Sequence, residues 1–160
     1  MTTHTNYTSN TSLSDPALPI AALPYEVPLN DGLDTKLRII SYYAPHVQSF
    51  DLLPCLVNMM TTAFNNVYEN PNPHAKLLQN QYTCSANSFG LQITGNQIMT
   101  PPLEYSDLIS LARMLLLFQQ THTMPGLRFE YWLKGQMRGQ GHAWMLFVQG
   151  SNGSESLGQS

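Results

Sequence analysis

Cys84, His142 and Asp107 provide the three side-chain types of a nucleophilic site: a thiol to attack, an imidazole to take its proton and a carboxylate to orient the imidazole. That chemistry needs hydrogen-bond reach between them, and their spacing along the chain neither enforces nor forbids it. Cys55 falls on the apolar stripe of a predicted helix, where a thiol is packing rather than a reagent. With two cysteines in the chain there is no disulfide scaffold and no metal-knuckle spacing, so Cys55 and Cys84 read as two buried free thiols or as one bridge.

His4, His46, His74, His122 and His142 never recur three or four residues apart, the spacing by which two imidazoles on one helix share a metal, so no metal site is expected. His142, between Gly141 and Trp144, is the histidine best placed for a role at a strand edge. Gly135, Gly139 and Gly141 would let backbone N–H groups approach an anion, but no Lys-Ser or Lys-Thr pair follows and the next residues are strand-like. They read as a hairpin turn or bulge, and no cofactor is implied. Glu104 and Asp107 share a helical face and lie in a first turn, where acidic groups favour the helix dipole.

A different chemistry is suggested by Arg128, Trp132, Lys134 and Arg138 on the outward side of the last predicted hairpin, with Met145 or Phe147 adding apolar area. An outward Trp among basic side chains is the composition of an interaction hot spot. The opposing expectation is that proline-rich residues 15–30 fold back and cover this face.

These groups are positioned by elements whose periods are legible. Residues 37–43 alternate as a strand, with Leu37, Ile39 and Ser41 on one side and Arg38, Ile40 and Tyr42 on the other. Leu52, Cys55, Leu56, Met59, Met60, Ala63 and Val67 recur at helical spacing after a cap at Ser49 or Asp51, with Pro54 tolerable in the first turn. Phe89, Leu91 and Ile93 alternate as a strand, and Tyr82 to Ala86 offers a shorter one before it. Residues 103–122 form a second helix, apolar around more than half its circumference. Leu127, Phe129, Tyr131 and Leu133 alternate against Arg128, Glu130, Trp132 and Lys134, and residues 143–148 return as a last strand.

The chain has 160 residues, 42% hydrophobic and 11% charged, which suits one core that buries roughly 68–70% of the unfolded surface. A formal net charge of -3 with seven Lys plus Arg argues against a nucleic-acid partner, which would need many cationic contacts. No run approaches the roughly 20 apolar residues that span a bilayer, so no membrane partner is expected. As written the chain reads as cytoplasmic; the glycosylation triplets at Asn6, Asn10 and Asn152 would matter only for a mature secreted form. Residues 1–35 read as a disordered or extended tail rich in Pro, Ser and Thr, 36–148 as the domain and 149–160 as a disordered tail.

The run Pro102-Leu103-Glu104-Tyr105-Ser106-Asp107-Leu108, the apolar helix after it and Gly139-Gln140-Gly141-His142-Ala143 resemble a group of small uncharacterised α/β-sandwich proteins of filamentous fungi. In that group an aromatic helix start resembling L-T-W-G-D-L precedes a strand, a G-x-G element and a final strand. Here Glu104, Tyr105 and Ser106 stand where Thr, Trp and Gly would, which removes a Thr cap. Some members look secreted and effector-like; the resemblance implies a fold and transfers no activity.

Together these readings predict an α+β fold: a two-layer α/β sandwich, a ferredoxin-like relative, with two helices on one face of a four- to five-stranded, mainly antiparallel sheet. The expected function is non-enzymatic protein interaction, with a protein partner or as a homodimer through the exposed sheet face or the edge of the last strand. The alternative is a small hydrolase or ligand-binding enzyme using Cys84 and His142 in a pocket between the second helix and the hairpin.

Overall fold

The computed structural model describes residues 18–43, 51–69, 72, 74–86, 89–96 and 101–145. Local periodicity becomes β1 (Tyr25–Leu29), β2 (Thr35–Tyr42), α1 (Leu53–Phe64), β3 (Gln81–Ala86), β4 (Phe89–Gly95), α2 (Tyr105–Thr121), β5 (Leu127–Leu133) and β6 (Gln136–Met145). The chain is α+β, with all neighbouring strands antiparallel in one six-stranded sheet of order β1-β2-β5-β6-β4-β3.

The sheet exceeds the expected four to five strands because Tyr25–Leu29, inside the segment read as a tail, pairs with β2 as an edge strand. Pro28 is tolerated there because an edge strand leaves one side of its backbone unpaired. The run β2-α1-β3-β4-α2-β5 follows the element order of a ferredoxin-like unit, but that unit would place β2 between β5 and β4, whereas here β5 stands between β2 and β6 and β6 lies between β5 and β4, so the expected ferredoxin-like order is not found. For the same reason the last strand has no free edge: β6 is hydrogen-bonded on both sides, and the outer strands are β1 and β3.

Both helices lie on one side of the sheet. Leu37 and Ile39 of β2, Tyr82 and Cys84 of β3, Leu91 and Ile93 of β4, and Leu127, Phe129 and Tyr131 of β5 all turn inward and are buried. They meet Cys55, Leu56, Met59 and Ala63 of α1 and Leu108, Leu111, Met114, Leu115 and Phe118 of α2. Full burial of each large side chain contributes roughly 1.5–3 kcal/mol, which secures this face against a one-residue slip of register.

The helices are joined at their ends. Pro54 occupies the first turn of α1, where its missing N–H breaks no helical bond. Gln119 of α2 accepts the Leu52 N–H at 2.6 Å and donates to Asp51 at 3.0 Å, while Asp51 also accepts the Leu53 N–H. At the start of α2 the Asp107 carboxylate accepts the Glu104 N–H at 2.9 Å, so a capping box replaces the missing Thr cap.

Residues 18–25 do not cover the open face. They run beside the end of α2: the Tyr42 hydroxyl donates to the Ala21 carbonyl at 2.6 Å, the Thr123 N–H donates to the Pro19 carbonyl at 2.9 Å, and the Tyr25 ring lies 5.8 Å from Phe118. Tyr42 reaches them because β2 is irregular between Ile39 and Ser41, so Tyr42 pairs with Leu127 and Ser41 with Arg128, reversing the faces that strict alternation assigns to both.

Lys134 and Gly135, both at positive φ (53° and 78°), make the two-residue turn between β5 and β6. Gly139 and Gly141, expected at the turn, lie within β6, opposite Tyr131 and Phe129. A methyl group on Gly141 would run into the Phe129 ring, and one on Gly139 into Tyr131 and the Thr94 carbonyl. Gly141→Ala should therefore lower stability by about 1–3 kcal/mol through overpacking, read as a fall in melting temperature. Gln140→Ala, on the open side of the same strand, should change it by no more than ~0.5 kcal/mol.

Candidate functional site

Cross-strand pairing collects polar and aromatic side chains on the sheet face away from the helices. Opposite one another stand Lys36 and Trp132, Arg38 and Glu130, Ser41 and Arg128, Arg128 and His142, Glu130 and Gln140, and Gln92 and His142. Lys36 Nζ lies 5.4 Å from the centre of the Trp132 ring, within cation–π range. No described element covers this face. Its two tryptophans, Trp132 and Trp144, are the only ones in the chain, and both are half-buried. Trp144 lies across Gly90, where any side chain would collide with the indole.

At the β6 end of the face, Tyr43, Gln92, Thr94, Arg128, Gln140, Gly141 and His142 line a concavity of about 400 Å³. Gly141→Ala acts on the other side of the sheet, so only the backbone of that residue belongs to this surface. The Tyr43 hydroxyl lies 3.0 Å from His142 Nδ1, and His142 Nε2 lies 3.0 Å from Gln92 Oε1. With Gln92 so oriented, Nε2 carries the ring proton and Nδ1 accepts from the tyrosine. The Trp144 ring stacks on the imidazole with centroids 4.5 Å apart. Burial first, and then the Arg128 guanidinium, push the His142 pKa below its ordinary value of 6.5, so the ring is neutral at neutral pH. Burial likewise raises the Tyr43 phenol, and Arg128 partly opposes it. None of the ion pairs among the described residues engages Arg128.

Of the four basic and aromatic residues expected on this face, Arg128 and Trp132 are there. Lys134 stands exposed in the turn, its N–H donating to the Thr35 hydroxyl. Arg138 is turned to the helix side. The β5–β6 ladder shifts register between Tyr131 and Trp132, so Trp132 opposes Met137 and Arg138 is left over as a bulge. Its guanidinium donates to the Pro101 and Pro102 carbonyls at 2.9 and 3.3 Å and pairs with Asp107 at 3.8 Å. It thereby bridges the hairpin and the start of α2, the region where the alternative enzyme pocket was expected. Met145 pairs with Phe89 on the helix side by register, and Phe147 lies outside the described residues.

The nucleophilic set does not assemble. Cys84 is buried beneath α1 against Cys55, both as free thiols, whereas His142 is on the opposite face of the sheet. Burial and the neighbouring Cys84 push the Cys55 thiol up to about 12, the reverse of what activates a nucleophile. Asp107 is held at the start of α2, its carboxyl raised by burial and opposed by the Glu104 N–H and Arg138. Of the histidines, His74 approaches Glu104 and His122 stacks on Phe118; His4 and His46 fall outside the described residues. No group of three His, Cys, Asp or Glu side chains converges among the described residues.

Sequence reasoning missed Tyr43 and Gln92 as partners of His142, and nothing local marks them. A second concavity, about 290 Å³ and apolar, runs between the helices along Leu53, Val57, Met60, Phe64 and Leu116. No helix among the described residues is long and apolar enough to cross a membrane.

The two arginines should separate cleanly in a thermal melt. Arg138→Ala should cost on the order of 1–3 kcal/mol by stranding Asp107 and two carbonyls, whereas Arg128→Ala should leave stability nearly unchanged. The unfolded state binds a proton at His142 more readily than the folded state, so this residue's contribution is present above pH 6.5 and is lost as pH falls through the lowered folded value. Arg128→Ala should raise the His142 titration midpoint measured by NMR and weaken that acid loss. No family model, curated protein or solved structure matches this chain.

Proposed function

We propose that the chain is a non-enzymatic protein-interaction domain that docks an acidic protein partner on the open face of its sheet. The observation that carries this reading is the juxtaposition of Trp132 and Lys36 with an Arg128 that has no ion-pair partner among the described residues, on a face no described element covers. Along β5, Arg128 and Trp132 are four residues apart, roughly 13 Å at strand rise, which spaces a charged anchor and an aromatic anchor across a standard contact. The unmatched cation favours a partner that brings a carboxylate to it.

The separation of Cys84 from His142 by the thickness of the sheet removes the pair on which the hydrolase reading stood. Self-association is the same reading with a second copy as the occupant.

Hydrogen–deuterium exchange on the chain with its captured partner, or on the concentrated chain where light scattering reveals a dimer, should show protection of β5 and β6. Trp132→Ala should weaken the association roughly tenfold or more, as a hot-spot truncation does, while the melting temperature stays close to that of the parent chain. Protection confined to the apolar groove between α1 and α2, with Trp132→Ala binding normally, would overturn the reading.

A further inference from the structure

We propose that the concavity formed by Arg128, His142, Tyr43 and Gln92 is a carboxylate-binding site whose affinity rises as the pH falls and His142 takes up a proton. The inference deepens the docking reading above, since it takes the carboxylate to come from an Asp or Glu side chain of the partner.

Arg128 is exposed and directly opposite His142 across the β5–β6 ladder, with no acidic side chain among the residues lining the space. A guanidinium presents a planar fork of donors that matches a carboxylate in bidentate contact. The neighbouring groups complete a donor set. His142 Nε2–H is spent on Gln92 Oε1, which leaves the Gln92 NH₂ as a donor, and Thr94 supplies a hydroxyl from the same strand. The volume, about 400 Å³, admits a side-chain carboxylate with room for water. One permanent cation suits a monoanion better than a phosphate, whose larger charge calls for more than one basic group.

The proton balance follows from the network. In the neutral ring Nδ1 accepts the Tyr43 hydroxyl proton, so that hydroxyl is unavailable to a ligand. When His142 is protonated, Nδ1–H donates to the Tyr43 oxygen, and the phenol proton is free to turn towards a carboxylate. The ligand then meets two cations and one more donor. The groups facing His142 are Arg128 from β5, Tyr43 from the segment after β2, Gln92 from β4 and Trp144 from its own strand. Only Arg128 among them is charged at neutral pH, so the empty site resists protonation, and a bound carboxylate offsets that resistance. By linkage, whatever raises the His142 midpoint on binding must tighten binding by the same factor in acid.

The test follows the His142 ring proton by NMR in the full chain across pH, with glutamate blocked at both termini as the probe and with inorganic phosphate and chloride at matched ionic strength. Blocked glutamate should raise the midpoint saturably by about half a unit, equivalent to a roughly threefold gain in affinity from above to below the titration. Arg128→Gln should abolish the response, and Tyr43→Phe should retain binding while flattening its pH dependence. An equal response to chloride or phosphate, no response to the probe, or a response that survives Arg128→Gln would each overturn the inference. Failure here together with loss of partner binding in Trp132→Ala would leave the docking face standing. A working carboxylate site beside normal partner binding in Trp132→Ala would overturn the docking face alone.

Discussion

The packing of Phe129 and Tyr131 against two bare positions of β6, Gly141 and Gly139, decides which side of the sheet meets the helices. Aromatic rings laid over glycine need no cross-strand side chain beneath them, so β5 and β6 can sit at the centre of the sheet under a closely packed helix layer. The Tyr131 hydroxyl also reaches the Thr94 carbonyl on β4 at 3.0 Å, which ties the ring across three strands. Because strand side chains alternate, committing these rings to the core sends Arg128, Glu130 and Trp132 to the other face with no further choice.

Departures from alternation assign the remaining groups. The bulge in β2 swings Tyr42 into the helix layer, where it holds the segment before β1, and leaves Tyr43 able to reach His142. The bulge in β6 swings Arg138 away from the open face to brace the first turn of α2. Two arginines ten residues apart thus have opposite work, one closing the fold and one in no ion pair among the described residues. Asp107 belongs to the first of these, as capping-box and ion-pair partner.

The open face is chemically graded. Towards the β1 and β2 edge the Lys36 charge is compensated, its ammonium lying within 3.7 Å of both Glu26 and Asp34. Towards β6 and β4 it becomes uncharged and hydrogen-bonding, with His142 held neutral between Tyr43 and Gln92 and stacked on Trp144. Arg128 stands where the two regions join. Its field reaches the imidazole and the phenol, so the titration of the site and its attraction for an anion have one source.

Period and burial preference are properties of neighbouring residues, which is why the chain by itself determined the two amphipathic helices, the alternating strands β2, β4 and β5, the α+β class and the outward placement of Arg128 and Trp132, while the last strand, expected from residue 143, already begins at Gln136. The edge strand Tyr25–Leu29 was not legible, because its proline and single buried valine satisfy no local period and it is held by pairing with β2. Nor were the insertion of β6 between β5 and β4, the two bulges, or the opposite faces of Cys84 and His142. Tyr43 and Gln92 are 99 and 50 residues from the histidine they hold. Only the tertiary structure decided these, since ladder register between distant strands is chosen by how the whole core packs, and that choice leaves no mark on the spacing of residues along the chain.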